Sequence, residues 1–192
     1  MTDAVDTDEA LMLRFAGGDV QAFEELYRRH ELKVWRYLQR NLGNRAVTDE
    51  LMQDVWFAVA RSAPGYRPIA RFTTWLLTLA HNRLVDALRT TRPHERPSAA
   101  AAGADGLDLV ERLAADSQTE PLERAQSHQH ATALLAAIEQ LPPEQRQAFL
   151  LHADGELTLE EIARVTSTSF ETAKSRLRYA RSKLRQLLQE YA

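Results

Sequence analysis

Six basic residues and no acidic residue occupy positions 174–185, and four of these bases recur at helical spacing. Lys174, Arg178, Arg181 and Arg185 are four, three and four positions apart, which places them on one stripe of a helix. Arginine and lysine bind phosphate oxygens and can pair with the edge of guanine in the major groove. The pattern favours a helix that reads duplex DNA, although an amphipathic helix with a solvated basic face would show the same stripe.

The residues before this basic helix predict how it is positioned. Thr158-Leu-Glu-Glu161 has the form of a capping box, which starts a short helix. A turn is expected over residues 166–169, and Ser169 can cap the basic helix that follows. A short helix, a four-residue turn and a long basic helix form the helix-turn-helix arrangement, whose second helix enters the major groove. The basic stripe is therefore predicted to belong to a DNA-reading helix.

The chain has a second basic segment, and its overall composition excludes several classes of site and of protein. Residues 61–92 contain six arginines against one acid, Asp86, although the net charge of the chain is −3. The chain has no cysteine, which excludes disulfides, thiolate zinc sites and a cysteine nucleophile. The acidic amino terminus does not resemble a signal peptide, and no apolar run approaches the ~20 residues that span a bilayer. We expect a soluble, cytoplasmic protein that does not insert into a membrane.

The remaining residue types give no catalytic or metal-binding pattern. His128 and His130 are two positions apart, so they would face different directions on a helix, and no third ligand lies near them in sequence. His81 is expected at the surface or at an interface. No Ser-His-Asp order, phosphate-cradling glycine loop or carboxylate pair stands out. The sequence predicts no catalytic residue, no metal, no cofactor and no enzymatic activity.

Helical spacing of apolar residues runs through most of the chain, and no strand-like alternation has any length. The predicted fold class is all-α, with two small helical domains joined by a flexible linker, the second domain being the helix-turn-helix. The predicted first domain covers residues 9–93, the acidic, flexible linker covers 94–125, and the second domain covers 126–192. The sequence also predicts the helix boundaries of the first domain. Helix one ends at Gly17-Gly18, and Asp19 caps helix two. Thr48 caps helix three, which ends at Pro64-Gly65, and helix four begins at Thr73 or Thr74.

The predicted third helix carries an acidic face. Asp49, Glu50 and Asp54 place carboxylates on it, and Gln53 lies beside them. A polar helix face of this kind can dock on a basic partner, which gives orientation and fast association. The alternative is an ordinary solvated acidic face. Trp56 and Phe57 are expected in the core rather than at an interface.

Taken together, these segments resemble two conserved regions of bacterial sigma factors. Leu141-Pro-Pro-Glu-Gln-Arg146, Glu161-Ile-Ala163 and Glu171-Thr-Ala-Lys-Ser-Arg-Leu-Arg178 resemble the fourth region, and three further segments resemble the second region. Those three segments are Glu9–Phe23, Thr48–Trp56 and Phe72–Arg89. Both regions occur in the family's order. The short connection between them, without a third helical domain, is similar to the extracytoplasmic-function subgroup.

The resemblance implies an alternative sigma factor that binds core RNA polymerase and directs promoter recognition and transcription initiation. It implies that Asp49, Glu50, Gln53 and Asp54 dock on the polymerase clamp. The implied minus-ten DNA residues are Tyr66, Arg67, Arg71, Trp75, Asn82, Arg83 and Arg89. The implied minus-thirty-five DNA residues are Ser169, Glu171, Thr172, Lys174, Ser175, Arg178, Tyr179 and Arg181. The implied partners are the clamp and flap of core RNA polymerase, promoter DNA and an anti-sigma factor.

Two other functions remain open on the sequence. A stand-alone helix-turn-helix regulator would bind duplex DNA alone, usually as a symmetric dimer, but it gives no reason for the acidic third helix or the Trp75 segment. A sigma-like decoy that binds an anti-sigma factor should lack the basic stripe. Three positions depart from the family pattern. Ser167 stands where the turn often has glycine, and the segment that commonly has a glycine or small residue before Thr-Val-Lys reads Glu171 and Ala173. Glu171 could accept a hydrogen bond from a cytosine amine.

Overall fold

The computed structural model describes residues 6–90 and 121–189, without the side chains of 121–129. Within these ranges every regular element is helical and no strand occurs, which confirms the predicted all-α fold class. A 3-10 turn, Ala63–Gly65, follows the third helix. The α-helices are α1 (Asp8–Ala16), α2 (Val20–Leu42), α3 (Arg45–Ser62), α4 (Phe72–Thr90), α5 (Pro121–Glu139), α6 (Pro143–Ala153), α7 (Leu159–Val165) and α8 (Phe170–Leu188).

Helices α1 to α4 form the first group, in which the long helix α2 packs against each of the other three. Tyr37 and Leu38 of α2, and Phe72, Leu76 and Leu84 of α4, are fully buried. These side chains recur at helical spacing, so each helix presents one apolar stripe to the common core. Burial of this stripe is what holds α3 and α4 side by side, with their polar faces turned outward.

The amino termini of α2 and α3 show one correct and one wrong cap prediction. The Asp19 carboxylate accepts hydrogen bonds from the amides of Gln21 and Ala22, as predicted. The third helix, however, begins three residues before Thr48, because the Asn44 side chain accepts from the Val47 amide and caps it. Thr48 is fully buried inside the helix and donates its hydroxyl to the Asn44 carbonyl at 2.8 Å. The prediction of Thr48 as the cap is wrong because threonine can bond the preceding turn instead.

Helix α4 begins at Phe72, slightly before the predicted Thr73 or Thr74. Its first amide, that of Phe72, donates to the Glu9 carboxylate of α1 at 2.7 Å. An acidic side chain at a helix amino terminus satisfies an orphan amide and interacts favourably with the helix dipole. Because this partner lies 63 positions away, local sequence could not reveal it.

Helices α5 to α8 form the second group, in which α8 packs against α5, α6 and α7. Helix α5 begins at Pro121, five residues inside the segment that the sequence assigns to the linker. Proline is favoured at the first helical position, since its fixed backbone angle suits the helix and its missing amide is not needed there. Most of the predicted linker, residues 94–120, lies outside the described residues, as do residues 91–93 of the predicted first domain and the side chain of His128.

The two helical groups are in contact with each other. Helix α2 packs against α6, and α4 packs against α7. Arg40 and Asp154 form an ion pair at 2.6 Å, and the Thr74 hydroxyl donates to Glu161 at the same distance. Gly155 lies so close to the first group that a Cβ atom there would be 2.8 Å from Leu77 Cδ1. The described parts of the chain therefore form a closed arrangement around one continuous hydrophobic core.

Candidate docking face and nucleic-acid interfaces

The acidic residues of α3 lie on the solvent-facing side of the first helical group. Asp49, Glu50, Gln53 and Asp54 are all exposed, while Val55 and Val59 on the opposite side are buried. Asp49 is held in place by neighbours, since it accepts a hydrogen bond from Trp35 Nε1 at 3.1 Å and lies 3.8 Å from Arg45. The four polar residues predicted from the sequence therefore form one exposed face, to which we refer as the α3 face.

An apolar groove of about 540 Å³ lies beside the α3 face, between α2 and α3. Phe57 lines the groove and is 64% exposed, so the prediction that Phe57 belongs to the core is wrong. Trp56 is buried, as predicted. The difference has a simple geometric reason, because Phe57 is one helical turn beyond Gln53 and therefore shares its solvent-facing side. Helical spacing, rather than residue type, was the signal that could have placed Phe57.

The groove is apolar on its floor and polar at its rim. Phe23 and Tyr27 of α2 line it together with Met52 and Trp56 of α3. The rings of Tyr27 and Trp56 are 4.9 Å apart. Asp49 and Gln53 lie at its edge. This combination can receive an apolar side chain of a partner while the neighbouring carboxylates meet its basic groups.

The segment before α4 is organised by an aromatic cluster. Tyr66 and Trp75 have ring centroids 5.1 Å apart, and Phe72 lies 5.7 Å from Trp75. The Tyr66 hydroxyl is buried without a hydrogen-bond partner. Burial, with the Glu9 carboxylate nearby, raises the pKa of Tyr66 to about 12, so the phenol stays protonated. Tyr66 and Trp75 thus shape the loop before α4 by packing against each other and against Phe72.

The other residues of the predicted minus-ten set are accessible. Arg67, Arg71, Asn82 and Arg89 are exposed, and Arg83 is half-buried. Trp75, Asn82 and Arg89 follow one another at intervals of seven residues, which is two helical turns, so they share one side of α4. An aromatic ring, an amide and a guanidinium along one helix side can stack on bases, bind base edges and hold phosphates.

His81 is not at the surface or at an interface, as the sequence suggested, but in the core. Its ring is buried, and its Nδ1 atom lies 2.8 Å from the Tyr37 hydroxyl. Burial, with Arg176 as a minor contributor, lowers the pKa of His81 to about 4. The neutral ring and the protonated phenol therefore share one hydrogen bond, since burial also raises the pKa of Tyr37.

The helix-turn-helix has the local structure that the sequence predicts. Glu161 Oε2 accepts from the Thr158 amide at 2.9 Å, and the Thr158 hydroxyl accepts from the Glu161 amide, which completes the capping box. Ser169 accepts from the Thr172 amide and caps α8. Ser167 in the turn has φ 52°, a left-handed conformation that glycine adopts more easily. This explains why glycine suits that place and shows that serine here keeps the same backbone.

Helix α8 turns its small and aliphatic side chains inward and its bases outward. Ala173, Leu177, Ala180 and Leu184 are buried. The predicted basic stripe, Lys174, Arg178, Arg181 and Arg185, is exposed on another side of the helix. The stripe is therefore available to a ligand and is not consumed by the core.

The remaining residues predicted to touch DNA on α8 have local partners. The hydroxyls of Ser169 and Thr172 lie 2.8 Å apart, and the Ser175 hydroxyl donates to the Thr172 carbonyl at 3.0 Å. Glu171 lies 3.8 Å from Lys174, so part of the charge of each is balanced within the helix. The exposed ring of Tyr179 lies 4.9 Å from the Arg178 guanidinium. These contacts orient polar groups along the first turns of the helix.

Glu161 also joins the helix-turn-helix to α4. Its Oε1 atom accepts the Thr74 hydroxyl at 2.6 Å, and Arg71 lies 3.7 Å from Oε2. Burial alone would raise the pKa of the Glu161 carboxyl, but the hydrogen bonds from Thr74 and the Thr158 amide, with Arg71 nearby, hold it below its usual range. Sequence reasoning identified Glu161 only as a cap, since nothing in the local pattern indicates a partner on α4.

No helix within residues 6–90 and 121–189 combines the length and the apolarity that crossing a bilayer requires.

Comparison with known proteins identifies both groups of helices. Residues 26–93 match the family described as Sigma-70 region 2, and residues 131–184 match the family described as Sigma-70, region 4. The chain is 35% identical over 179 residues to the RNA polymerase sigma factor CarQ of Myxococcus xanthus, covering 93% of this chain and 96% of that protein. It is 26% identical to the ECF RNA polymerase sigma factor SigW of Bacillus subtilis, covering 90% of this chain and 92% of that one.

A solved structure has the same fold. CnrH in complex with the cytosolic domain of CnrY superposes with a TM-score of 0.67 and 22% identity, covering 97% of this chain and all of that one. The two matched regions occur in the same order as the two helical groups. The chain therefore belongs to the extracytoplasmic-function sigma factors, and it is an alternative sigma factor that binds core RNA polymerase and directs promoter recognition and transcription initiation.

Proposed function

We propose that the chain divides its work among three surfaces on two domains. A first domain at residues 9–93 docks on the polymerase through the α3 face and reads the minus-ten element through α4 and its preceding loop. A second domain at residues 126–192 reads the minus-thirty-five element through α8. The acidic linker at 94–125 joins them and lets each domain reach its own site. The observation that carries this proposal is the exposed basic stripe of α8 on a properly capped helix-turn-helix.

The α3 face is the polymerase-docking site in this proposal. Glu50 and Asp54 are exposed, and the groove that Phe57 lines provides an apolar anchor point beside them. The matching partner is a helix of the polymerase clamp with basic residues and an apolar side chain. Charge complementarity steers such an encounter, while burial of the apolar side chain slows its dissociation.

The minus-ten element is assigned to one side of α4. Trp75 is half-buried, and Asn82 is exposed seven residues later on the same side. A base that leaves the duplex stack needs an aromatic or apolar wall and polar groups for its edge, and Trp75 and Asn82 supply these two chemistries. The loop before α4, with Tyr66, Arg67 and Arg71, walls the pocket for this base. Arg83 and Arg89 hold phosphates, which positions the strand without specifying its sequence.

The minus-thirty-five element is assigned to the first turns and the basic stripe of α8. Thr172 and Lys174 lie near the amino terminus of the helix, where a recognition helix meets base edges. Arg178 and Arg181 continue along the exposed side toward the phosphates and the guanine edges. The capping box and the Ser169 cap fix the entry angle of the helix.

The protein acts in the cytoplasm without catalytic activity of its own, and the polymerase performs the chemistry. An anti-sigma factor is its proposed regulator. Support for this partner comes from CnrH, whose structure contains the cytosolic domain of CnrY, and from a second sigma factor, RpoE, in complex with the anti-sigma factor NepR from Bartonella quintana. An anti-sigma domain must cover surfaces that the polymerase or promoter needs, and the groove beside the α3 face is available for this.

Run-off transcription with purified core polymerase and the full chain tests the proposal. We expect initiation from promoters selected out of a randomised library, and weak binding of the isolated protein to the same duplexes. Strong sequence-specific binding of a dimer without polymerase would favour a stand-alone regulator. Core binding without any initiation, together with tight binding to an anti-sigma factor, would favour a decoy.

A further inference from the structure

Phe170 is an aromatic residue with no place in the hydrophobic core. It is the first residue of α8, its side chain is 39% exposed, and it does not belong to the cluster of buried residues or to those packed against that cluster. Its helix neighbour Ala173 is fully buried, so the core contact of this turn is made by a smaller side chain. A ligand that covers an exposed phenyl ring removes apolar surface from water, which favours binding.

The Phe170 ring lies at the amino-terminal end of the basic stripe of α8. Phe170, Lys174 and Arg178 are four positions apart, so they follow one another along one side of α8. The Lys174 ammonium lies 5.9 Å from the Phe170 ring centroid, within the range of a cation–π contact. The aromatic face is therefore fixed next to a group that binds phosphate or guanine.

The chemistry of the major groove offers one match for an apolar side chain at this position. The amino-terminal residues of a recognition helix are the ones that meet base edges. A phenyl ring cannot donate or accept a conventional hydrogen bond, so it cannot read the polar edges of guanine, cytosine or adenine. The thymine C5-methyl group is the apolar feature of the major groove, and phenylalanine is among the side chains that contact it.

We propose that Phe170 is a specificity-determining residue that reads the methyl group of one thymine in the minus-thirty-five element. This inference rests on the proposed function of α8 as the reader of that element. It makes the preference for thymine at one position depend on a single methyl group, whereas the neighbouring positions depend on hydrogen bonds from Lys174 and Arg178.

Removal of one thymine methyl group at a time from the promoter tests the proposal with the full chain and core polymerase. Promoters are first selected from a library that is randomised in the upstream element, and each thymine of a selected element is then replaced singly by deoxyuridine, which lacks only the methyl group. The wild-type holoenzyme should lose about fourfold in run-off transcription at one position, as expected for the burial of one methyl group. Phe170→Ala should transcribe thymine and deoxyuridine promoters equally, and Phe170→Leu should keep part of the preference.

A matched control separates this effect from a general loss of stability. Leu134 on α5 of the same domain is 38% exposed, so Leu134→Ala removes a comparable apolar side chain and should keep the full thymine preference. Circular dichroism should show the same helix content in all variants. Unchanged discrimination between thymine and deoxyuridine in Phe170→Ala would overturn the proposal.

The outcomes also distinguish this inference from the proposed function. If the wild-type holoenzyme initiates from selected promoters but no thymine in the element responds to loss of its methyl group, Phe170 does not read thymine, while the assignment of α8 stands. If Phe170→Ala weakens binding to core polymerase and leaves promoter choice unchanged, the ring is a protein contact and the proposal is overturned. If Arg178→Ala also leaves promoter use unchanged, the function assigned to α8 fails as well.

Discussion

Arg40 forms an ion pair with both carboxylate oxygens of Asp154, although the two residues are 114 positions apart in the chain. One guanidinium nitrogen, Nη1, lies 2.8 Å from one carboxylate oxygen of Asp154 and 2.6 Å from the other. Both side chains are largely shielded from water. The pair joins α2 to the end of α6. The charge of Asp154 also acts on a second arginine of α2, Arg36, and favours its protonated form. Asp154 thus balances two arginines of the first helical group.

Reversing one charge of this pair should open the closed arrangement. Asp154→Arg would place a third guanidinium beside Arg36 and Arg40, and like charges in a partly buried site repel strongly. We expect a larger radius of gyration in small-angle X-ray scattering. Because the chain has no cysteine, dyes attached at Gln21→Cys and Glu160→Cys can also report an increased distance by energy transfer.

The reciprocal exchange is the control for this experiment. Arg40→Asp combined with Asp154→Arg restores opposite charges and should recover the compact dimensions. Arg28 of the same helix pairs with a neighbour, Glu25, on the surface, so Arg28→Asp should leave the dimensions unchanged. Equal radii for wild type and Asp154→Arg would mean that the pair does not hold the two groups together.

Gly155 gives an independent test of the same contact. A Cβ atom at this position would lie 2.4 Å from the Leu151 carbonyl oxygen and 2.8 Å from Leu77 of the first helical group. Gly155→Ala should lower the free energy of unfolding by about 1–3 kcal/mol, the usual cost of overpacking. Urea denaturation checks this value. In the background of Leu77→Ala, which empties part of the space, the cost should be smaller; an equal cost in both backgrounds would attribute it to the Leu151 carbonyl alone.

Replacing Glu50 and Asp54 should weaken binding to core polymerase. Both carboxylates are exposed, so Glu50→Gln with Asp54→Asn removes charge and leaves the fold intact. Asp49 is a poorer choice because Trp35 donates a hydrogen bond to it. We expect a roughly tenfold or greater loss of affinity, mainly through slower association, measured by fluorescence anisotropy with labelled protein. Asp86→Asn on α4 is the matched control, and equal affinities for both variants would contradict the docking assignment.

Arg178→Ala should lower promoter-dependent transcription and leave core binding unchanged. Loss of a bidentate contact to guanine costs about 1–3 kcal/mol, which is a five- to 150-fold loss of specific promoter use. Lys183 lies on the same helix but points about 140° away from Arg178, as follows from 100° per residue. Lys183→Ala should therefore have a much smaller effect. Run-off transcription at fixed salt measures both variants, and an unaffected Arg178→Ala would refute the assignment.

Stability should fall as the pH drops from about 6.5 toward 4, because His81 is buried in the neutral form. The pKa of His81 is lowered to about 4, so between these values the unfolded chain binds a proton that the folded chain does not. The loss reaches at most about 3 kcal/mol. His81→Gln, which keeps an acceptor for Tyr37, should reduce the pH slope of urea stability, although His30, whose pKa burial also lowers, retains part of it.

The comparison with an exposed histidine makes this result specific. His130 is exposed on α5, so His130→Gln should leave the pH slope as it is in the wild type. If His81→Gln shows the wild-type slope between pH 6.5 and 4, protonation of His81 does not govern acid stability.

Local sequence was sufficient where a structure depends on near neighbours. The capping box of Thr158 and Glu161 and the Ser169 cap each join residues three positions apart, and successive members of the basic stripe of α8 are at most four positions apart. All of these features are present. The α3 face is another example, because helical spacing alone brings Glu50 and Asp54 to one side. Short-range rules of capping and periodicity are strong enough to fix such features.

Long-range contacts were beyond the sequence. The Glu9 carboxylate that caps α4, the burial of His81 under Tyr37 and the closed arrangement of the two groups all join distant residues. His81 is polar and was expected outside, but its hydrogen bond with Tyr37 offsets the free-energy cost of removing the ring from water. Phe57 appeared apolar and was expected inside, but its helical position places it in solvent. In both cases the position on the helix and the available partner, rather than the residue type, decide whether the side chain is buried.

The two oxygens of Glu161 serve different structures, and this has a consequence for how the chain can change shape. Oε2 closes the start of α7 from within its own domain, while Oε1 holds Thr74 across the boundary. Separation of the two groups would break the bond to Thr74 and the contact of Oε2 with Arg71, but it would leave the capping box in place. The start of α7 therefore does not depend on the first helical group, because both hydrogen bonds that cap it lie within the helix-turn-helix.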